Sequence, residues 1–311
     1  GEDRNDWLSR RPAPLQVNAL GFPGASGCDF IDLILADAVS LPPEYSGHYA
    51  EKVLVVPESH HPFPHKYSFG AVPAAQPIPR KELGLPEGSE SVILGCFNRI
   101  KKLDPQTFRA WIEALLSTPK AVLWLSRLAL TPEAEDRLRT QARGLGLAPH
   151  RIIFSDTFPS SQHIATKAQA DIFLDTPVYN AHVTGGDALW AGLIMVVLPL
   201  ESMASRISAS FAPVIDAVLV ARSLNDYIQI IQRLARNDNL RRNLKERLEE
   251  QKHKSSLFNA TAWVRSFERG IFQALDTQLS GAEPLGQSPG WGAQGAQGWR
   301  NPRFSYIARP G

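Results

Sequence analysis

The chain has 311 residues, enough for one large or two medium domains, and 43% of them are apolar, which supports a packed core over most of that length. The charge is nearly balanced, 33 Lys and Arg against 31 Asp and Glu, which argues against a nucleic-acid scaffold with its strong basic bias. Two cysteines, Cys28 and Cys96, exclude a disulfide framework and fit reduced thiols in a cytosolic or nuclear protein, and the lack of an apolar run of about 18 residues excludes a spanning helix.

Residues 1–11 are charged and read as loose. They open on Gly1-Glu2-Asp3-Arg4 with neither an initiator Met nor a signal-peptide pattern, so the chain reads as a fragment of something longer. Residues 14–20, 30–36 and 52–56 read as short strands, the first followed by the turn Gly21-Phe22-Pro23-Gly24-Ala25-Ser26-Gly27. Residues 57–70 hold three histidines, His60, His61 and His65, and read as irregular loop; residues 71–90, Pro-rich and then Gly-rich, read as a linker. From residue 91 the pattern becomes regular. Apolar runs at 92–97, 122–125, 152–154, 172–174 and 194–198 alternate with helical stretches at 105–116, 132–144, 160–170, 185–191 and 204–209. Short apolar strands alternating with amphipathic helices predict an α/β fold with a doubly wound parallel sheet. Residues 223–275 read as two or three amphipathic helices with Ser223 as a cap, and residues 279–311, rich in Gly, Gln, Ser and Pro, as a disordered tail.

In such a sheet, ligands bind beyond the carboxyl ends of the strands. Four strand-end segments are therefore candidates. The stretch Leu174-Asp175-Thr176-Pro177 to Gly192 reads as strand, polar turn and a helix opening at Thr184-Gly185-Gly186, where small residues let backbone amides reach a phosphate favoured by the helix dipole. His182 and Asp187 flank that opening. On the residues alone, a phosphate site and a tightly packed glycine turn compete evenly there. Lys102, before the helix at 105, could meet a diphosphate, or be a solvated lysine. Phe158 backbone and the His163 ring could read and stack on a base, or belong to an ordinary capped helix. The Gly21–Gly27 turn is weak as a phosphate signal. The three histidines at 60–65 lack the further ligands that a metal site needs, and Trp124, Trp190 and Phe154 read as core.

At these residues the sequence resembles the carboxy-terminal part of the protein O-linked N-acetylglucosamine transferases, from about residue 11 to about residue 275. The resemblance is carried by Gly21-Phe22-Pro23-Gly24-Ala25-Ser26-Gly27, Phe97-Asn98 with Lys102 and Asp104-Pro105, Arg151-Ile152-Ile153-Phe154-Ser155, Leu174-Asp175-Thr176-Pro177, Leu189-Trp190-Ala191-Gly192 and Leu257-Phe258-Asn259. It implies an inverting glycosyltransferase of the GT-B type, with no metal and no cofactor, that moves N-acetylglucosamine from UDP-GlcNAc to Ser or Thr hydroxyls of a protein acceptor. Neither nucleic acid nor membrane is implied as a partner. By the resemblance, Lys102 would stabilise the departing UDP, Phe158 backbone would bind uracil, and His163 would stack beside it. His182, Thr184 and the amides from Gly185 would hold the phosphates, and Asp187 the ribose hydroxyls. The implied division is 1–70 as the end of an N-terminal catalytic domain, 71–90 linker, 91–278 donor-binding domain with terminal helices, and 279–311 tail.

The sequence departs from that family's pattern at Val183, where the family has a threonine, at Ser160, where it has a lysine, and at Arg99, where it has a glutamine. The family's tetratricopeptide repeats and most of its N-terminal catalytic domain, with its catalytic histidines, do not match any residues here. The expectation is a chain that binds UDP without transferring sugar by itself. The short interval between Val56 and Val92 has no room for the large insertion of animal members. The alternatives are a related GDP-fucose-dependent protein O-fucosyltransferase, disfavoured by Asp187, and a non-catalytic nucleotide-binding module. An NAD oxidoreductase would need a Gly-x-Gly-x-x-Gly turn, which is missing.

Overall fold

The computed structural model describes residues 5–69, 76–88, 90–159, 161–280 and 304–307. Its strands are β1 (Val17–Asn18), β2 (Leu33–Ala36), β3 (Lys52–Val55), β4 (Val92–Cys96), β5 (Ala121–Ser126), β6 (Ile152–Ser155), β7 (Ile172–Leu174), β8 (Ile194–Val197), β9 (Val218–Val220) and β10 (Phe304–Ile307). Its helices are α1 (Asn5–Leu8), α2 (His65–Phe69), α3 (Pro105–Leu116), α4 (Pro132–Gly144), α5 (His163–Lys167), α6 (Val183–Trp190), α7 (Leu224–Arg236), α8 (Asp238–Lys252) and α9 (Ala260–Ser280). Two sheets result, one ordered β1-β2-β3-β10 and one ordered β6-β5-β4-β7-β8-β9, with every pairing parallel.

The local chemistry explains these elements. β2 and β4 are buried at every position, as strands covered on both faces must be. α3 and α4 each start with Pro at the first turn behind a capping side chain: Asp104 accepts from the Gln106 and Thr107 amides, and Thr131 from the Ala134 amide. Ser223 caps α7 through the Asp226 amide, as the sequence predicts. The expected helix near 204–209 is two short 3-10 turns instead, Met203–Ser205 and Ser208–Phe211. The expected helix at 160–170 shortens to α5, α6 starts earlier than residue 185, and β9 is a strand that the sequence reading passes over although 217–221 is an apolar run.

Three regions differ from the sequence reading. Within the expected linker, residues 76–88 are packed down: Leu83 and Leu85 join the buried core, and the Ile78 amide donates to Thr166 Oγ1 at 3.2 Å. Within the expected tail, Phe304–Ile307 pairs with β3 as an edge strand; residues 281–303 lie outside those described. α9 packs on the first sheet rather than on the second. Trp263, Phe267, Ile271 and Ala274 form a cluster with Leu33, Leu35 and Leu54, and Trp263 Nε1 donates to the Ser59 carbonyl at 2.9 Å. An apolar stripe on a helix goes to whichever sheet offers an uncovered face, and its sequence cannot say which.

The two sheets share one core. Phe63, just before α2, is 1% exposed and touches Phe211 and Phe258, with ring centroids 5.3 and 5.9 Å away. It is the peg that fits the first-sheet side onto the second.

Candidate functional site

The second sheet reverses its order between β4 and β7. From β4 the chain moves outward through α3 to β5 and β6; from β7 it moves the other way through α6 to β8. This is a topological switch point, and in such sheets the crevice for a ligand lies there, outside the carboxyl ends of the strands.

Asp175, the residue after β7, is fully buried. Its Oδ1 accepts from the amides of Thr176 at 2.8 Å and Ala181 at 2.7 Å, and from Asn98 Nδ2, beyond β4, at 3.1 Å. One carboxylate oxygen thus closes the 176–181 loop and ties it to the neighbouring strand end. Burial pushes the Asp175 carboxyl up to about 6, against the hydrogen bonds it accepts. The loop in turn receives Lys102: its Nζ donates to the Asn180 carbonyl at 2.7 Å and lies 4.2 Å from the Tyr179 ring centre. Burial lowers the Lys102 ammonium to about 8, partly offset by the charge of Asp175. Arg99, on the loop after β4 that carries Lys102, is exposed.

His182 stands at the cap position of α6 without capping it. Its ring stacks on Tyr179, centroids 5.0 Å apart, and its Nε2 lies 3.5 Å from the Ala204 carbonyl. Burial and the Lys102 charge lower its pKa to about 3, so the ring is neutral near pH 7. Lys102 and His182 thus both lie against the Tyr179 ring. The amides of Gly185 and Gly186 both donate to the His182 carbonyl, at 3.0 and 3.2 Å. Among the described residues the amides of Val183 and Thr184 have no such partner, and they are the ones that a helix N-terminus presents to an anion. The Val183 side chain is 54% exposed there.

The glycine pair answers to packing. A Cβ on Gly186 would fall 2.2 Å from the Phe63 ring, and one on Gly185 would fall 3.2 Å from Phe211. The glycines therefore form a tight packing seat, with the amides of Val183 and Thr184 left in front of it.

Asp187 follows within α6, its side chain 14% exposed. Lys167 Nζ donates to its Oδ2 at 2.7 Å, His65 Nε2 lies 2.9 Å from its Oδ1, and His163 Nε2 lies 3.6 Å from Oδ2. Burial would raise the Asp187 carboxyl, but the His65 hydrogen bond and the Lys167 charge outweigh it and hold it at about 2. The structure thus brings His163 and Asp187 together. Phe158, half-buried, packs its ring on Trp124 and Phe97, centroids 5.8 and 6.3 Å away, which leaves the role of its backbone to the 156–159 loop. Ser160 lies outside the described residues.

His65 and Lys167 are the residues that sequence reasoning missed. His65 is 122 positions from Asp187, beyond any local pattern. Lys167 had a usable signal, since it follows His163 by one helical turn and so shares its face. The three histidines expected only as loop part company: the His60 amide donates to Asp37 at 2.8 Å, His61 stacks on Phe63 at 4.7 Å, and His65 sits on α2, which replaces the end of that loop. No group of three metal-ligating side chains occurs among the described residues. Nor is any helix there long and apolar enough to cross a membrane. In the Gly21–Gly27 turn, Gly21 and Gly27 have φ of +132° and +69°, and the Ser26 amide donates to buried Glu51, outside the turn, at 2.6 Å.

Two parallel sheets over one core, with the crevice at the switch point of the second, define a GT-B-type glycosyltransferase architecture. Solved structures agree. An O-GlcNAc transferase of Thermobaculum terrenum, in a Lys-to-Met variant, superposes with a TM-score of 0.75 and 26% identity, covering 90% of this chain and 52% of that one. Sucrose-phosphate synthase of Thermosynechococcus elongatus shares the fold at a TM-score of 0.52 and 16% identity, covering 78% of this chain and 59% of that one. The chain belongs to glycosyl transferase family 41, whose profile matches residues 2–75 and 71–267. The probable UDP-N-acetylglucosamine–peptide N-acetylglucosaminyltransferase SEC of Arabidopsis thaliana is 35% identical over 285 residues, 90% of this chain. The UDP-N-acetylglucosamine–peptide N-acetylglucosaminyltransferase of Caenorhabditis elegans is 33% identical over 203 residues, 65% of this chain. The chain spans 29% and 17% of the lengths of those two relatives.

Proposed function

We propose that this chain is the donor-nucleotide region of a glycosyltransferase that carries N-acetylglucosamine from UDP-GlcNAc to Ser or Thr hydroxyls of proteins. The observation that supports this best is the convergence of Lys102, His182 and the open amides of α6 at the switch point of the second sheet. A nucleotide diphosphate seated there would meet one ammonium, one neutral imidazole and a helix N-terminus. Such a set stabilises a departing diphosphate without any protein nucleophile, as an inverting transfer requires. In this reading His163 and Asp187, 3.6 Å apart, would take the base and the ribose, and Phe158 backbone the base edge. Transfer itself and the choice of acceptor are assigned to the whole protein, of which relatives are much longer, and its place to the cytoplasm or nucleus.

Calorimetric titration with UDP and GDP tests this. Saturable UDP binding, lost in His182→Ala and Asp187→Ala, without GDP binding, is the expected result. A preference for GDP would move the chain to a GDP-sugar class, and binding of neither by a folded chain would mark a module that has lost its ligand.

A further inference from the structure

Asp187 is gripped oxygen by oxygen, from two different parts of the molecule. His65, on α2 at the end of the first-sheet segment, holds Oδ1 at 2.9 Å; Lys167, the last residue of α5, holds Oδ2 at 2.7 Å. The side chains of all three are largely buried, 5% exposed for His65, 10% for Lys167 and 14% for Asp187. The grip is therefore not screened by solvent. A carboxylate has about four lone-pair directions. Fixing one on each oxygen sets the plane of the group and aims those that remain. A donor set built only to neutralise the charge needs a single cation, and Lys167 already supplies it.

We infer that His65 and Lys167 are positioning residues that aim the Asp187 carboxylate at the hydroxyls of a nucleotide ribose, so that sugar reading on the second sheet depends on a side chain delivered from the first-sheet side. This rests on the nucleotide site proposed above. Phe63, two residues before His65, seats in the space that Gly186 leaves open, one residue before Asp187. The same docking that joins the two sheets therefore carries His65 to the carboxylate, and donor recognition becomes dependent on the joint between them.

A merely structural ion pair and a positioning role differ in what they spare. Loss of a structural pair would weaken every nucleotide alike; loss of positioning would weaken only ligands with ribose hydroxyls. The experiment is calorimetric titration of the 311-residue chain and its variants with UDP and with 2′,3′-dideoxy-UDP. The unmutated chain is expected to prefer UDP by about tenfold or more, as a charge-assisted hydrogen bond to a hydroxyl allows. In His65→Ala and in Lys167→Met that ratio should fall towards one while the dideoxy affinity stays unchanged. His65→Gln, whose side-chain amide can still donate to Oδ1, should restore it. Thermal melting without ligand checks that each variant folds; should His65→Ala fail to, Lys167→Met and His65→Gln decide the matter. A full UDP preference in the folded variants, or an equal loss for both ligands, overturns the inference. Equal binding of both ligands by the unmutated chain overturns it while leaving the nucleotide site intact. Failure of the unmutated chain to bind UDP at all overturns the site first, and this inference with it.

Discussion

Asp175, just after β7, and Asp187, within α6, belong to one strand-turn-helix segment, and the fold treats them in opposite ways. Asp175 is fully buried among amides, with Lys102 acting on it only through space, and burial drives its carboxyl up to about 6. Asp187 is slightly more open and directly paired with His65 and Lys167, which hold it at about 2. Direct contact with a cation, rather than depth alone, decides which way each carboxyl shifts. The first is a structural latch for the 176–181 loop; the second is the paired carboxylate to which the proposed site assigns the ribose.

The largest expected effect comes from removing the charged member. Asp187→Ala leaves Lys167 buried without its partner, and should cost about 3 kcal/mol of stability or more, read by denaturant titration, as well as UDP affinity. Next, Gly186→Ala forces a Cβ into the Phe63 ring, whose contacts hold the two sheets together; about 2–3 kcal/mol is expected, and Phe63→Ala in the same chain should relieve part of it in a double-mutant cycle.

The comparison is sharpest in pH. Asp175 has a folded pKa raised from 3.8 to about 6, so the folded state holds its proton more tightly, and stability should rise as pH falls from about 6 to about 4. Asp187 has a folded pKa lowered from 3.8 to about 2; its contribution, about 2 kcal/mol, is present above pH 4 and lost as pH falls towards 2. Asp175→Asn should flatten the first window alone and Asp187→Asn the second alone, measured as differences from the unmutated chain in Tm against pH. One slope in both windows would erase the contrast.

The smallest effect is expected at the other glycine turn. Gly21 and Gly27 have open space around them but positive φ, so Gly27→Ala should cost only about 1 kcal/mol of backbone strain, without disturbing UDP binding. The two turns look alike in sequence. One needs glycine for its dihedral angles and the other for room, and only the fold reveals which.

This marks what the sequence could and could not disclose. The alternation from residue 92 onward, with helical stretches opening at Pro105 and Pro132 and Ser223 as a cap, made the second sheet legible, because strand and cap signals are local. The strand ends that carry Lys102, His182 and Asp187 followed from it. What stayed hidden is contact across distance. His65 reads as one of several histidines in a proline-rich stretch, and α9 as one more helix after α8, until the sheets are set side by side. The buried latch at Asp175 was visible only as a motif letter, since its role lies in amides contributed by residues up to Ala181 and by Asn98.

The most direct test of the account is a crystal structure of the chain with UDP. The account predicts the diphosphate between Lys102 and the amides of Val183 and Thr184, and the ribose hydroxyls on the Asp187 carboxylate, still held by His65 and Lys167. UDP bound away from the switch point of β4 and β7, or a ribose that leaves Asp187 untouched, would contradict it.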